Sequence, residues 1–273
     1  MKNLTAILAI LLPLWSLAQQ GLTLKFTYQP NHTYQVKTEQ NVSGTIRFSG
    51  DDELMSSLEK KGVKNPQTME ITSSSTNETK TGARTSNGAI PYQQTMITSM
   101  NKDGENIFPP NTTVYGKIDS ANHLSIDSIA SSEIDERLTK ALQSTVSSAY
   151  NQLNLPNKYL RVGDSLVVKS PLDLPIMGTE LKINVTTTYL LLSIENGIGK
   201  FDVKLVYEME GDISSNKFTA TGTGNGVLNY DIANQIYQQF DITSNVAMKM
   251  SIEKMAINMD MLLIQKTGMT ILQ

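Results

Sequence analysis

The sequence HTYQVKTEQNVSGTIRF, residues 32–48, decides the fold because apolar and polar side chains alternate along its length. One face carries Tyr34, Val36, Val42, Ile46 and Phe48. The opposite face carries Gln35, Lys37, Glu39, Asn41, Ser43, Thr45 and Arg47. Such alternation is typical of an antiparallel strand with one buried face. At ~3.3 Å per residue the strand spans roughly 50 Å, which favours a large, curled sheet over a small barrel.

The same alternation continues on both sides of this strand. Leu22, Leu24, Phe26 and Tyr28 share one face of a preceding strand. Further strands are predicted over 67–80, 90–101, 112–119, 122–129, 164–170, 179–194, 199–210, 216–231, 235–252 and 255–265. Residues 72–88 are almost entirely polar, and this composition is compatible with either a solvated edge hairpin or a mobile loop.

Two helices are predicted to interrupt the strands. A short one covers 51–61, with Asp51 or Asp52 as N-cap and Gly62 as its stop. A longer one covers 132–153, with one apolar stripe formed by Ile134, Leu138, Leu142, Val146, Ala149 and Leu153. We therefore expect a mainly β (α+β) protein: a large curled antiparallel sheet or half-barrel of about ten to twelve strands, covered by one short and one longer helix.

The N-terminus has the pattern of a secretory signal peptide. Lys2 precedes an apolar run over 4–15, and small residues follow at 16–18. The run is shorter than the ~20 residues of a membrane span, so we predict cleavage after Ala18 and no transmembrane span. The protein is thus expected in the periplasm or on the surface of a Gram-negative bacterium.

The predicted domain plan divides the chain at the longer helix. Residues 1–18 are the signal peptide, 19–130 an N-terminal β-rich half with the short helix, 131–156 the central helix and 157–273 a C-terminal antiparallel half. We expect one composite domain, although the pattern leaves open whether the halves share a sheet.

Composition excludes several chemistries. The chain has no cysteine, which rules out disulfides, iron–sulfur clusters and thiol nucleophiles. Its net charge of −3 does not suggest nucleic acid as a partner. His32 and His123 are the two histidines, and neither lies in a metal-binding motif. We predict no catalytic residue, no metal ligand and no cofactor.

The sequence TATGTGNGVLNYD, residues 219–231, places Gly222, Gly224 and Gly226 at every second position. A phosphate-binding loop needs a different glycine spacing and a following helix, whereas here alternation continues. The glycines are interpreted as a bulge, a sharp bend or a close backbone approach within a strand.

Methionine is unusually common, with thirteen in the chain. Methionines two residues apart share one side of a strand, and their thioethers could bind Cu(I), pack in an ordinary core or form an adaptable surface for apolar ligands. The candidate ligand-binding residues are Met248, Met250, Met255, Met259 and Met261.

The layout resembles a group of uncharacterised exported bacterial proteins. The resembling features are the signal ending Leu-Ala-Gln-Gln, LTLKFTY at 22–28, the long strand quoted above, LRVGDSLVV at 160–168 and GTGNGVLNYDIANQIYQQFDITS at 222–244. This resemblance implies no functional residues. The plan is also similar, more loosely, to periplasmic lipoprotein carriers, half-barrels that wrap helices and hold acyl chains.

Three functions follow as hypotheses. The first is a non-enzymatic binding or carrier protein for a lipid, acyl chain or other apolar small molecule. The second is an envelope module that binds protein or glycan, and the third is a hydrolase with a carboxylate pair that leaves no sequence motif. An apolar cavity between sheet and helices would favour the first, and a filled core the second.

Overall fold

The computed structural model describes residues 21–131, 155–176, 179–213, 216–252 and 254–272, together with Thr139, Leu142, Gln143, Val146, Ser147 and Tyr150. The elements are β1 (Gly21–Leu24), β2 (Thr33–Gly50), α1 (Asp52–Lys60), β3 (Gln67–Thr81), β4 (Ile90–Asn101), β5 (Thr113–Ile118), β6 (Leu124–Ala130), β7 (Lys158–Arg161), β8 (Ser165–Ile176), β9 (Thr179–Glu195), β10 (Ile198–Ile213), β11 (Asn216–Asp231), β12 (Ile236–Ile252) and β13 (Met255–Leu272).

One antiparallel sheet contains eleven of these strands, in the order β6-β5-β4-β3-β2-β13-β12-β11-β10-β9-β8. The two halves of the chain meet in its middle, where β2 and β13 pair from Thr33↔Leu272 to Gly50↔Met255. The sheet is open, with β6 and β8 as its edges among the described strands. The prediction of a mainly β fold with a curled sheet or half-barrel is confirmed, and the halves share one sheet.

The alternation in β2 does separate two faces. The inner face carries Tyr34, which is fully buried, and the half-buried Val36, Val42, Ile46 and Phe48. Lys37, Glu39 and Arg47 on the outer face are exposed. Because side chains alternate strictly along a strand, paired residues on neighbouring strands share a face, so this assignment extends across the sheet.

Three details of the strand prediction need correction. The first strand ends at Leu24 and pairs with β7 outside the main sheet, so Phe26 and Tyr28 lie beyond it. The polar residues 72–81 belong to β3, an inner strand between β2 and β4, so they are neither an edge nor a loop. A polar strand is stable there because residues 73–80 pair with β2 on one side and with β4 on the other, which satisfies the backbone hydrogen-bonding groups. The prediction also lacked β7, a four-residue strand that pairs with β1 and has one buried side chain, Leu160.

The short helix forms as predicted. Asp51 is its N-cap, and the side chain accepts a hydrogen bond from the Leu54 N–H at 2.9 Å. Gly62 follows the helix with φ +75°, the left-handed conformation that commonly ends a helix. None of the residues of α1 is buried, so this helix connects β2 to β3 without joining the core.

The longer helix lies partly outside the described residues. Thr139, Leu142, Gln143, Val146, Ser147 and Tyr150 are helical, and Leu142, Val146 and Tyr150 are buried. Leu142 and Val146 belong to the predicted stripe. The other predicted stripe members, Ile134, Leu138, Ala149 and Leu153, fall outside the described part of the chain, as does the predicted signal segment.

The segment 21–34 closes one end of the half-barrel. The buried Tyr230 hydroxyl donates to the Lys25 carbonyl at 2.6 Å. Thr27 N–H donates to the Gln235 carbonyl in the β11–β12 turn, and Asn122 Nδ2 in the β5–β6 turn donates to the Phe26 carbonyl at 3.0 Å. Turns from the two halves of the sheet therefore hold this segment from both sides.

The three alternating glycines lie inside β11 and bring strands together. A Cβ at Gly222 or Gly226 would lie 2.5 or 2.2 Å from a carbonyl oxygen of β12, and one at Gly224 would lie 2.3 Å from Ser244 Oγ. Side chains do not fit at these distances. The interpretation as a close backbone approach is confirmed, and the residues that follow are strand rather than helix.

Candidate ligand-binding cavity

A cavity of about 520 Å³ lies on the inner face of the half-barrel. Its sheet side is formed by residues of β2, β3, β4, β9, β11, β12 and β13, and Leu142, Val146 and Tyr150 of the central helical residues lie opposite. Ile107 and Phe108, from the β4–β5 connection, complete its rim. The size falls within the range of ligand pockets, roughly 300–1,000 Å³.

A polar band crosses the sheet side of the cavity. It consists of Thr38, Gln40, Ser73, Ser75, Ser99, Gln265 and Thr267. The strand register aligns these residues, because Gln40 pairs with both Ser73 and Gln265, and Thr38 pairs with both Ser75 and Thr267. The band thus forms two adjacent rows across neighbouring strands.

Few hydrogen bonds are made inside the polar band. Gln265 Nε2 donates to Thr267 Oγ1 at 3.2 Å, and the hydroxyls of Thr38 and Thr267 are 3.5 Å apart. The side chains of Gln40, Ser73, Ser75 and Ser99 have no hydrogen-bond partner among the described residues. Donors and acceptors are therefore available to a molecule in the cavity.

An aromatic wall lines the cavity at its closed end. It consists of Phe26, Tyr28, Tyr92, Tyr150, Tyr237 and Phe240. Phe26 is central, with ring centroids 5.0 Å from Tyr28 and 5.7 Å from Tyr237. Tyr28 and Tyr150 stack at 6.1 Å. Edge-to-face and stacked contacts of this kind fix the rings and present a rigid apolar surface.

Burial raises the pKa of Tyr28, Tyr92, Tyr150 and Tyr237, so all four phenols are neutral at physiological pH. Tyr92 Oη donates to Gln94 Oε1, and the Thr79 side chain beside the Tyr28 hydroxyl partly offsets the effect of burial on the pKa of Tyr28. Tyr150 Oη donates to Asn122 Oδ1 at 3.0 Å. These three rings are therefore anchored at their polar ends.

Two buried tyrosines lack such an anchor. Tyr189 and Tyr237 line the cavity and are 6 % and 8 % exposed, and neither hydroxyl has a hydrogen-bond partner among the described residues. Burial raises the pKa of Tyr189 to about 12. A buried hydroxyl without a partner costs about 1–3 kcal/mol, so a ligand oxygen placed there would be stabilised.

The described lining residues carry no charge. They include no Asp, Glu, Lys, Arg or His. Their polar side chains are the amides of Asn and Gln, the hydroxyls of Ser and Thr, and the phenols of Tyr, of which only the phenols titrate. His32 and His123 lie in turns outside the cavity, and His123 is exposed beside Asp119. Among the described residues, no group of three or more His, Asp or Glu side chains could hold a metal ion.

The five predicted methionines lie together, but not in this cavity. Met248 is the strand partner of Met259, and Met250, Met255 and Met261 share the same inner face at the far end of β12 and β13. Met248 and Met250 pack against the buried cluster of Met209, Phe218 and Ala220. We call these five residues the methionine surface, and their role in binding stays a prediction.

An apolar strip connects the methionine surface to the polar band. Leu263 pairs with Val42, and Val42 pairs with Ile71, in the row next to Gln40 and Gln265. Ile71 is 55 % exposed although it lies on the inner face. Along β2, β3 and β13, the inner face therefore passes from the aromatic wall to the polar band and then to the methionine surface. No inner-facing residue of these three strands is charged.

A cavity between sheet and helix could be anticipated from the sequence, but the residues that line it were missed, although these residues leave a trace in the alternation. Thr38 and Gln40 interrupt the apolar face of β2, and Gln265 and Thr267 interrupt that of β13. Within a single strand, each of these polar residues is an ordinary exception on an apolar face. Only the register shows that both fall at the same level of the sheet.

Among the described residues, no helix is long and apolar enough to cross a membrane.

No family model and no curated protein matches the chain. Among solved structures, an acetoacetate decarboxylase-like enzyme from Sphingomonas wittichii RW1 is similar at 10 % identity, over 90 % of this chain and 94 % of that one, with a TM-score of 0.13. A similarity at this level carries no argument about fold or function.

Proposed function

We propose that the protein is a non-enzymatic, exported binding or carrier protein for an apolar ligand such as a lipid or acyl chain. The observation that carries the proposal is the cavity of about 520 Å³ between the sheet and the central helical residues. Export is supported by the N-terminal sequence pattern alone.

The aromatic wall supports binding of an apolar chain. Its rings are large, buried except for the half-buried Phe240, and held by contacts with one another, so they lose little conformational freedom when a ligand arrives. Each CH₂ group that a ligand buries there contributes about 0.8 kcal/mol. A chain of several carbons therefore suffices for measurable affinity.

The methionine surface supports binding of varied or longer chains. Methionine side chains are flexible and polarizable, so they adapt to apolar groups of different shape. The strip through Val42 and Leu263 gives an apolar route from the cavity to this surface. We propose that any part of the ligand that extends beyond the polar band lies along this route.

A cavity-blocking experiment tests the proposal. The fluorescence of Nile red, an uncharged dye, is titrated with the purified protein and with Thr38→Trp, which places a bulky ring in the polar band. We expect bright, saturable fluorescence for the unchanged protein and a loss of binding of roughly tenfold or more for the variant. The matched control is Lys37→Trp, which places the same ring on the exposed outer face.

A second variant guards against misfolding. Ser75→Trp blocks the same row from β3, and circular dichroism checks that each variant keeps its β structure. If both folded blocking variants bind the dye as well as Lys37→Trp does, or if the unchanged protein binds none, the proposal is wrong.

A further inference from the structure

We infer that the ligand of this cavity is an uncharged amphiphile, with an apolar chain joined to an ester or hydroxyl head. The inference rests on the proposed function and adds the chemical class of the ligand. It follows from how polarity is distributed in the cavity, in three steps.

The first step concerns charge. None of the described lining residues is ionised, and the tyrosines of the aromatic wall are buried. A carboxylate, phosphate or ammonium group placed there would lose its hydration without gaining a counter-charge, which is strongly unfavourable. The ligand group inside the cavity is therefore neutral.

The second step concerns polarity. A purely apolar ligand would leave the hydroxyl of Tyr189 buried without a partner, and would cover the amides of Gln40 and Gln265 as well. A site whose buried groups need hydrogen bonds binds weakly to a ligand that cannot form them, because those groups lose their hydration and gain no partner. The ligand therefore carries oxygen atoms that accept hydrogen bonds.

The third step concerns geometry. Tyr189 lies in the same cross-strand row as Gln265 and Gln40, connected through Val203, Gly226 and Ile242. Gly226 contributes no side chain to that row. Uncharged hydrogen-bonding groups thus face the interior at one level of the curled sheet, while the aromatic wall lies towards its closed end. This arrangement matches a head at the polar band and a chain along the rings.

Three probes that each contain a twelve-carbon chain test the inference. Monolaurin carries an ester and hydroxyls, laurate is ionised at about pH 8, and dodecane has no polar atom. Each is titrated against Nile red bound to the full-length mature protein. We expect monolaurin to displace the dye, and laurate and dodecane each to be weaker by roughly tenfold or more.

Variants identify the polar band as the cause of this preference. The double change Gln40→Leu and Gln265→Leu keeps side-chain size and removes both amides. We expect it to abolish most of the preference for monolaurin over dodecane, with each displacement referred to the dye affinity measured for the same variant. Gln35→Leu, on the outer face of β2, is the control and should keep the preference.

The outcomes separate this inference from the proposed function. If laurate or dodecane displaces the dye as well as monolaurin does, the inference is wrong and the binding function stands. An unchanged preference in the double variant also overturns it. If neither dye nor any probe binds, the proposed function itself fails.

Discussion

Gly226 and Gly268 are both strand glycines, yet their surroundings differ sharply. A Cβ at Gly226 would lie 2.2 Å from the Asp241 carbonyl oxygen, which is backbone and cannot rotate away. At Gly268 the nearest atom, the Gln238 carbonyl oxygen, would be 3.6 Å away, an ordinary contact. The close approach of β11 to β12 therefore requires glycine at position 226, whereas position 268 in β13 has room for a methyl group.

We predict that Gly226→Ala lowers the free energy of unfolding by about 1–3 kcal/mol, because the strands must move apart. Gly268→Ala should leave it unchanged or raise it by up to about 1 kcal/mol, since alanine restricts the unfolded chain. Urea denaturation of both variants measures the difference. Equal effects at the two sites would contradict the role assigned to close approach.

Tyr230 and Tyr189 form a second contrasting pair. The Tyr230 hydroxyl donates to the Lys25 carbonyl at 2.6 Å, whereas that of Tyr189 has no partner among the described residues. We predict that Tyr230→Phe costs about 1–2 kcal/mol of stability, whereas Tyr189→Phe raises stability by about 1–3 kcal/mol because it removes a buried hydroxyl that has no partner. Thermal denaturation of the ligand-free variants gives both values. A large loss at Tyr189 would show that its hydroxyl is already satisfied.

At the scale of elements, the strands of the main sheet could be predicted because alternation and turn residues mark them locally. Asn111, Asn122 and Asn196 adopt positive φ in turns between strands, as asparagine commonly does. What could not be predicted was β7, which is too short to show a period. The inner position of the polar β3 was also missed, since strand order depends on distant pairings.

The β5–β6 turn gives a prediction at this scale. Asn122 Nδ2 donates to the Phe26 carbonyl, and Asn122 Oδ1 accepts from Tyr150, so one side chain joins the turn, the segment 21–34 and the central helical residues. Asn122→Gly keeps the backbone conformation, which has φ 63°, but removes both bonds. We expect a loss of about 1–3 kcal/mol in the free energy of unfolding.

Hydrogen exchange locates the effect of that substitution. The Thr27 amide, bonded to Gln235, should exchange faster in Asn122→Gly because the segment is held from one side only. Ser120→Ala, in the same turn, is the control, since the Ser120 side chain is exposed and makes no hydrogen bond with a described residue. Unchanged exchange at Thr27 would show that the β11–β12 turn alone fixes the segment.

At the scale of the whole molecule, the buried tyrosines predict how stability depends on pH. Burial raises the pKa of Tyr28, Tyr92, Tyr150, Tyr189 and Tyr237 in the folded protein, whereas the unfolded chain titrates near about 10. Above that pH the unfolded state releases protons that the folded state retains. The contribution of these tyrosines to the free energy of unfolding should therefore be constant below about pH 9 and fall steadily above about pH 10.

Urea titrations across this pH range test the expectation. Each tyrosine whose folded pKa lies well above 10 contributes a slope of about 1.4 kcal/mol per pH unit. Phenolate absorbance should rise together with unfolding for these groups. A flat stability curve above about pH 10, or phenolates formed in the intact fold, would contradict burial of the aromatic wall.

The candidate site could be predicted less well than the fold. An apolar inner face and a cluster of methionines follow from local alternation, and Met248, Met250, Met255, Met259 and Met261 do share one surface. The cavity instead depends on residues far apart in the chain, such as Thr38 and Thr267, that meet only through the register of β2 and β13. A single sequence does not specify that register.

The most direct test of the cavity as a ligand site is a crystal structure of the protein with a monolaurin analogue brominated at the end of its acyl chain. The account predicts an anomalous bromine peak inside the cavity, between Phe26 or Tyr237 and Val146, with the glycerol ester at the polar band. A bromine peak confined to the methionine surface or the outer face, or a cavity closed by side chains with no ligand inside, would contradict it.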